Sequence, residues 1–189
     1  DHTAKLLRKI AEATTDGIVI NRDDPRLGDE KFVSGIKAQV NSFGVSDALL
    51  KQFPSDDELR SEGKNTKSVK KLSANDTCLK KIDGSQATVS YNGKDKKLTL
   101  KLNGIYNILN AVGAVALCRN VMADKLNEAK MLEALSNVTP AFGRGESVYI
   151  DGQPCQLVLV KNPAGFRLGL ESFDPEGYAT MIAINDNYA

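Results

Sequence analysis

Five residues, Gly17-Ile18-Val19-Ile20-Asn21, constrain the fold more than any other stretch of this chain. Three β-branched apolar residues in a row, uncut by a polar one, suit a strand buried on both faces, as in a parallel sheet covered by helices. The flanks agree. Upstream, Ala4, Leu7, Ile10 and Ala11 fall at helical spacing, with Gly17 as a stop. Downstream, "RDDPRLG" is a turn, "EKFVSGIKAQV" predicts a weak helix and "NSFGV" a second short strand. Helix, strand, helix, strand is α/β order.

Residues 46–84 are polar and poorly periodic, and "SVKKLSANDTCLKK" fits either a helix or an exposed strand. After them, "SQATVSY" and "KKLTLKL" flank "NGKD", an Asn-Gly hairpin with alternating arms. A strongly apolar helix follows in "LNGIYNILNAVGAVALCRNVMA". "NEAKMLEALSNV" predicts a short helix capped by Asn127, and "TPAFGRGE" a linker or functional loop. "SVYIDGQPCQLVLV" reads as a second hairpin around Asp151-Gly152, "NPAGFRLGLESF" as a helix start and "ATMIAIN" as another buried strand. A domain boundary falls near Thr139, separating residues 1–138 from 139–189.

Composition excludes several functions. A net charge of +1 offers no basic field for nucleic acid or a membrane surface. No apolar run approaches the ~20 residues of a membrane span and no signal-peptide pattern is present, which points to the cytoplasm. His2 is the single histidine, so Ser-His-Asp and Cys-His catalysis and His-rich metal sites have no basis in these residues. Cys78, Cys118 and Cys155 are scattered, form no CxxC pair and predict reduced thiols without zinc. "EGKNTKS" lacks the upstream glycine of a phosphate loop, which would stand at Glu58. The chain opens without an initiator Met inside a running helix, and the expectation is a piece of a longer protein.

Four polar residues at the ends of apolar elements form the candidate site. Asn107 and Asn110, three apart near the start of the apolar helix, are expected on one face. Arg144 stands between two glycines, and Asp186 follows "MIAIN" where ligands of open α/β sheets gather. An amide donates and accepts at once, matching the edge of adenine. A guanidinium forks onto phosphate oxygens, and a carboxylate accepts from ribose hydroxyls. By spacing alone the plainer roles remain open: helix caps for the asparagines, a surface pair with Glu146 for Arg144, and an Asx turn for Asp186.

"LNGIYNILNAVGAVAL", "FGRGE" and "IVINRDDPRL" resemble, in turn, the asparagine-bearing helix start, the Gly-Arg-x-Glu loop and the Asn-x-Asp-Asp turn of the Mur ligase superfamily. "TPAFGRGE", "LVLVKNPAGF" and "MIAINDNYA", in this order, resemble its MurT type most. The resemblance implies an α/β fold: the second half of a central ATPase domain, a mixed sheet with helices and an antiparallel hairpin, over 1–138. The start of a Rossmann-like C-terminal domain follows over 139–189. It implies adenine contacts at Asn107 and Asn110, a phosphate contact at Arg144, a ribose contact at Asp186, and a substrate or partner loop at Lys161 and Asn162. It further implies ATP and Mg2+, with metal ligands and phosphate loop outside these residues, and no catalytic residue within them. The implied partner is the glutaminase subunit GatD and the implied substrate lipid II, amidated on D-glutamate at the inner face of the membrane. An amino-acid-adding Mur ligase, a folylpolyglutamate-synthase relative and a non-catalytic nucleotide-binding scaffold are the alternatives. Arg167 departs from the asparagine that the resemblance leads one to expect in "NPAGFRLGL".

Overall fold

The computed structural model describes residues 2–54, 76–102, 104–140, 143–173 and 175–184. Strands β1 (Gly17–Asn21), β2 (Gln39–Val45), β3 (Thr77–Asp83), β4 (Gln86–Tyr91) and β5 (Lys94–Thr99) form one sheet in that order. Gly17 pairs with Gln39 and Phe43 with Thr77 in parallel register, whereas β3, β4 and β5 are antiparallel. The sheet is mixed, and the α/β expectation holds. Among the described residues β1 and β5 are its edges.

Alternation along β1 divides its side chains between two faces. Ile18 and Ile20 meet Ala11 of helix α1 (His2–Ala13) and Phe32 of α2 (Glu30–Val33). Asn21, in register with Phe43, lies toward the other face, where helix α3 (Ile105–Met122) lies against β1, β2 and β3. The main core gathers there, with Val45, Leu79, Val89, Val112 and Val115 fully enclosed. Gly113 permits the close approach: a Cβ at that position would stand 3.2 Å from the Phe43 ring. Helix α4 (Glu128–Ser136) closes this core with Met131, and the Asn127 side chain caps it through the Lys130 amide at 3.0 Å.

The turn of the β4–β5 hairpin needs two left-handed residues, supplied by Asn92 (φ 50°) and Gly93 (φ 71°). Asp151 and Gly152 (φ 49° and 77°) repeat the device between β6 (Arg144–Ile150) and β7 (Gln153–Val158). These two strands form a separate antiparallel sheet, and helix α5 (Pro163–Ser172) follows and touches α3.

Several local expectations are corrected. "EKFVSGIKAQV" is helical only over Glu30–Val33, because Ser34 turns to extended backbone and Gly35 to φ 76°. The second strand begins at Gln39 rather than Asn41. From Thr77 onward the ambiguous stretch is a strand, and a buried one, with Thr77, Cys78 and Leu79 enclosed; residues 68–75 lie outside the described residues. Arg144 opens β6 instead of sitting in a loop. "ATMIAIN" is no buried strand over 179–184: no ladder pairs it, and Met181 and Ile184 are 88% and 86% exposed. An apolar run becomes a strand only beside a partner that takes its backbone hydrogen bonds, and none lies there among the described residues. Finally, Ile105–Lys125 is 21 residues long with a mean hydropathy of 1.2, long and apolar enough by length and composition to cross a membrane. Core packing of Val112 and Val115 accounts for part of that character, while Leu117 and Val121 face outward.

Candidate functional site at the carboxyl ends of the parallel strands

The direction of α3 organises the site. Near its end, Asn120 hydrogen-bonds to Asn41 and stands where a Cβ on Gly17 would lie, so that end sits at the beginnings of β1 and β2. Phe43, farther along β2, meets Gly113. α3 therefore runs opposite to the parallel strands, and its N-terminus, with Asn107 and Asn110, lies at their carboxyl ends. Open α/β sheets bind ligands on that side.

The helix opens at Gly104 (φ 94°), which provides no side-chain cap. The two asparagines then part company. Asn107 is only 9% exposed and is engaged within the chain, whereas Asn110, a turn later, is exposed. Three residues amount to 300° of rotation, enough to carry one amide inside the rim of the core and leave the other in solvent. Asn110 lies too deep in the helix to serve the four orphan amides of its first turn.

"RDDPRLG" is the turn expected after β1, and it builds more than its turn residues announce. Arg22, 8% exposed, donates from Nη2 to the Val45 carbonyl at 2.6 Å, and Asp23 Oδ2 accepts from the Val45 amide at 2.7 Å. The residues after β1 thus hold both main-chain groups at the end of β2, and Arg22 Nε pairs with Asp23 Oδ1 at 3.5 Å. Burial pushes the Asp23 carboxyl above its ordinary range, against the pull of the Val45 amide and Arg22. Asp24 is used locally, with Oδ1 accepting from the amides of Arg26 (2.8 Å) and Leu27 (3.0 Å). The clue in the sequence was a pair of carboxylates directly after a parallel strand.

Across the junction to the second sheet, a Cβ on Gly104 would lie 3.4 Å from Ser172 Oγ, so the end of α5 meets the start of α3. Arg144 opens β6 opposite Val158, flanked by Gly143 (φ 72°) and Gly145 (φ 78°). The side chain of Arg144 and the whole of Asp186 lie outside the described residues. Lys161 is exposed, and Asn162 caps α5, its Oδ1 accepting from the Gly165 amide at 2.7 Å. A polar cleft of about 180 Å³ lies at the far end of α3, between Asn41, Thr77 and Arg119. Arg119 is committed there to Thr77, to Asn92 and to the Tyr91 ring, 4.5 Å from its centroid.

Among the described residues no three His, Cys, Asp or Glu side chains converge as a metal cluster would require. The three cysteines are free thiols on β3, α3 and β7. The purified chain is therefore expected to carry substoichiometric zinc, and chelator treatment to leave its melting temperature unchanged. Elemental analysis finding one zinc per chain would overturn this.

No family model matches the chain. It is 34% identical over 92 residues to the lipid II isoglutaminyl synthase (glutamine-hydrolyzing) subunit MurT of Streptococcus pneumoniae, a match spanning 48% of this chain and 20% of that protein. Its fold superposes with a TM-score of 0.68 on a pseudomurein peptide ligase type C from Methanothermus fervidus, at 19% identity over 92% of this chain and 37% of that one. The chain thus corresponds to a minor part of each relative's length. In fold it is Mur-ligase-like, and in sequence over about half its length it is similar to MurT.

Proposed function

We propose that this chain binds the nucleotide of an ATP-dependent carbon–nitrogen ligase acting in peptidoglycan synthesis, specifically one that amidates the α-carboxylate of D-glutamate in lipid II. A carboxylate oxygen attacks the γ-phosphorus of ATP and ADP leaves; ammonia then attacks the acyl carbon and phosphate departs. The ammonia comes from a glutaminase partner of the GatD kind. Mg2+ would accompany ATP and offset phosphate charge; its ligands are sought outside the described residues, which supply no carboxylate cluster. In this reading residues 1–138 complete a central ATPase domain, residues 139–189 begin the next one, and the protein works in the cytoplasm at the inner membrane face.

The observation that carries this reading is the orientation of α3, which sets Asn110, exposed, at the carboxyl ends of β1 and β2. Asn110 is the adenine-facing amide and Asn107 its structural support. Arg144 contacts phosphate, Asp186 the ribose, and Lys161 faces substrate or partner.

The two asparagines provide the test. Asn110→Ala in the complete protein is expected to weaken preference for ATP over GTP by about 1–3 kcal/mol, with an unchanged melting curve. Asn107→Ala is expected to cost about 1–3 kcal/mol of stability, because it removes a buried amide that is engaged within the chain. An unaltered ATP/GTP preference in Asn110→Ala would end the adenine assignment.

A peptide ligase as structural neighbour favours a second reading, an amino-acid-adding ligase. Supplying the complete protein with lipid II and either ammonia or an amino acid separates the two by the product formed.

A further inference from the structure

Arg144 is the second residue of a four-residue stretch, Gly143-Arg144-Gly145-Glu146, whose backbone is unusually tied down. Gly143 and Gly145 both take left-handed φ values, 72° and 78°, that other residues rarely adopt. The β6–β7 register shifts between Arg144 and Glu146, as it does at a bulge, and bulges redirect the side chain they carry. Two bonds hold the turn. The Gly143 carbonyl accepts from the Leu159 amide at 2.8 Å, and the Gly143 amide donates to Glu146 Oε2 at 2.9 Å in a partly buried setting. Gly145 is buried, so the stretch is also packed.

We propose that Glu146 is a positioning residue: its carboxylate clasps the Gly143 amide and fixes the bulge from which Arg144 reaches the ATP phosphates. This rests on the phosphate-binding reading of Arg144 above. A glycine on each side gives that backbone freedom to swing, and a fork that must meet two phosphate oxygens loses its geometry when its base moves by an ångström. The carboxylate ties one side of the turn and the Leu159 amide the other, so the backbone that carries Arg144 is held in place. An acceptor is what the clasp requires; negative charge is incidental to it.

The test compares Glu146→Ala, Glu146→Gln and Arg144→Ala in the complete protein with its glutaminase partner, by steady-state ATP turnover and by hydrogen exchange of the peptide covering 140–147. Glu146→Ala is expected to lower kcat roughly 10- to 100-fold, the cost of a catalytic contact misplaced by an ångström, with a smaller change in KM for ATP. Exchange at the Gly143 amide should accelerate. Glu146→Gln retains an oxygen acceptor and should restore both readouts to within about threefold of wild type, which a purely electrostatic role would not allow. Wild-type exchange and turnover in Glu146→Ala, with Arg144→Ala inactive, would overturn the clasp while leaving the phosphate contact standing. Glu146→Gln as damaged as Glu146→Ala would overturn it as well. Full turnover in Arg144→Ala would remove the phosphate contact and the proposal together.

Discussion

Arg144→Lys in the complete protein should slow ATP turnover by roughly 10- to 150-fold, since each charge-assisted hydrogen bond contributes about 1.5–3 kcal/mol. Lysine keeps the positive charge and loses the planar, two-pronged donor. Arg144 is a strand residue, and a strand backbone accepts lysine as readily as arginine. The melting curve should therefore stay where it is. An exposed pair with Glu146 predicts a different result, because such pairs contribute roughly 0–1 kcal/mol and accept lysine almost as well as arginine. Glu146 is in any case occupied, one carboxylate oxygen accepting from the Gly143 amide. Steady-state turnover beside a thermal melt decides: wild-type rates remove Arg144 from the site, and a rate lost together with the fold makes it structural.

Gly44→Ala is the expected large loss of stability. A Cβ at this position would stand 2.5 Å from Arg22 Nε and 2.5 Å from Asp23 Oδ2. Strand β2 cannot retreat, held by β1 on one side and β3 on the other. Arg22 and Asp23 must move instead, giving up their grip on the Val45 carbonyl and amide while remaining near the core. Overpacking and two disturbed charge-assisted bonds together cost about 2–4 kcal/mol. For a chain of this length that lowers the melting temperature by about 5–12 °C. Gly152→Ala serves as a comparison: its Cβ would meet nothing within 4 Å, so only the strain of φ 77° applies. A melting temperature within 2 °C of wild type for Gly44→Ala would show that Arg22 and Asp23 do not stiffen the ends of these strands.

What was legible in the sequence was mostly local. The parallel strand in "GIVIN", both Asx-Gly hairpins and the Asn127 cap each rest on chemistry contained within a few residues, and each is present, although "GIVIN" is an edge strand among the described residues with only Ile20 buried rather than a strand covered on both faces. Failures came where distant parts decide. Thr77–Asp83 carries charges that leave helix and exposed strand equally open, yet β2 and β4 bury its first three residues. "MIAIN" had the composition of a buried strand, but a ladder partner is a tertiary fact. Asn107 and Asn110 looked alike by spacing, and only the packing of α3 on the sheet separates one from the other. The clamp of Arg22 and Asp23 on Val45 spans more than twenty positions, and no periodicity could have announced it.

The two edges of the sheet have unequal chemistry. β5 carries Lys94, Asp95, Lys96 and Lys97 in succession, so a strand arriving there would have to strip water from four charges. β1 bears no charge at all over Gly17–Asn21. Among the described residues strand addition to this sheet is therefore one-sided, open at β1 and guarded at β5.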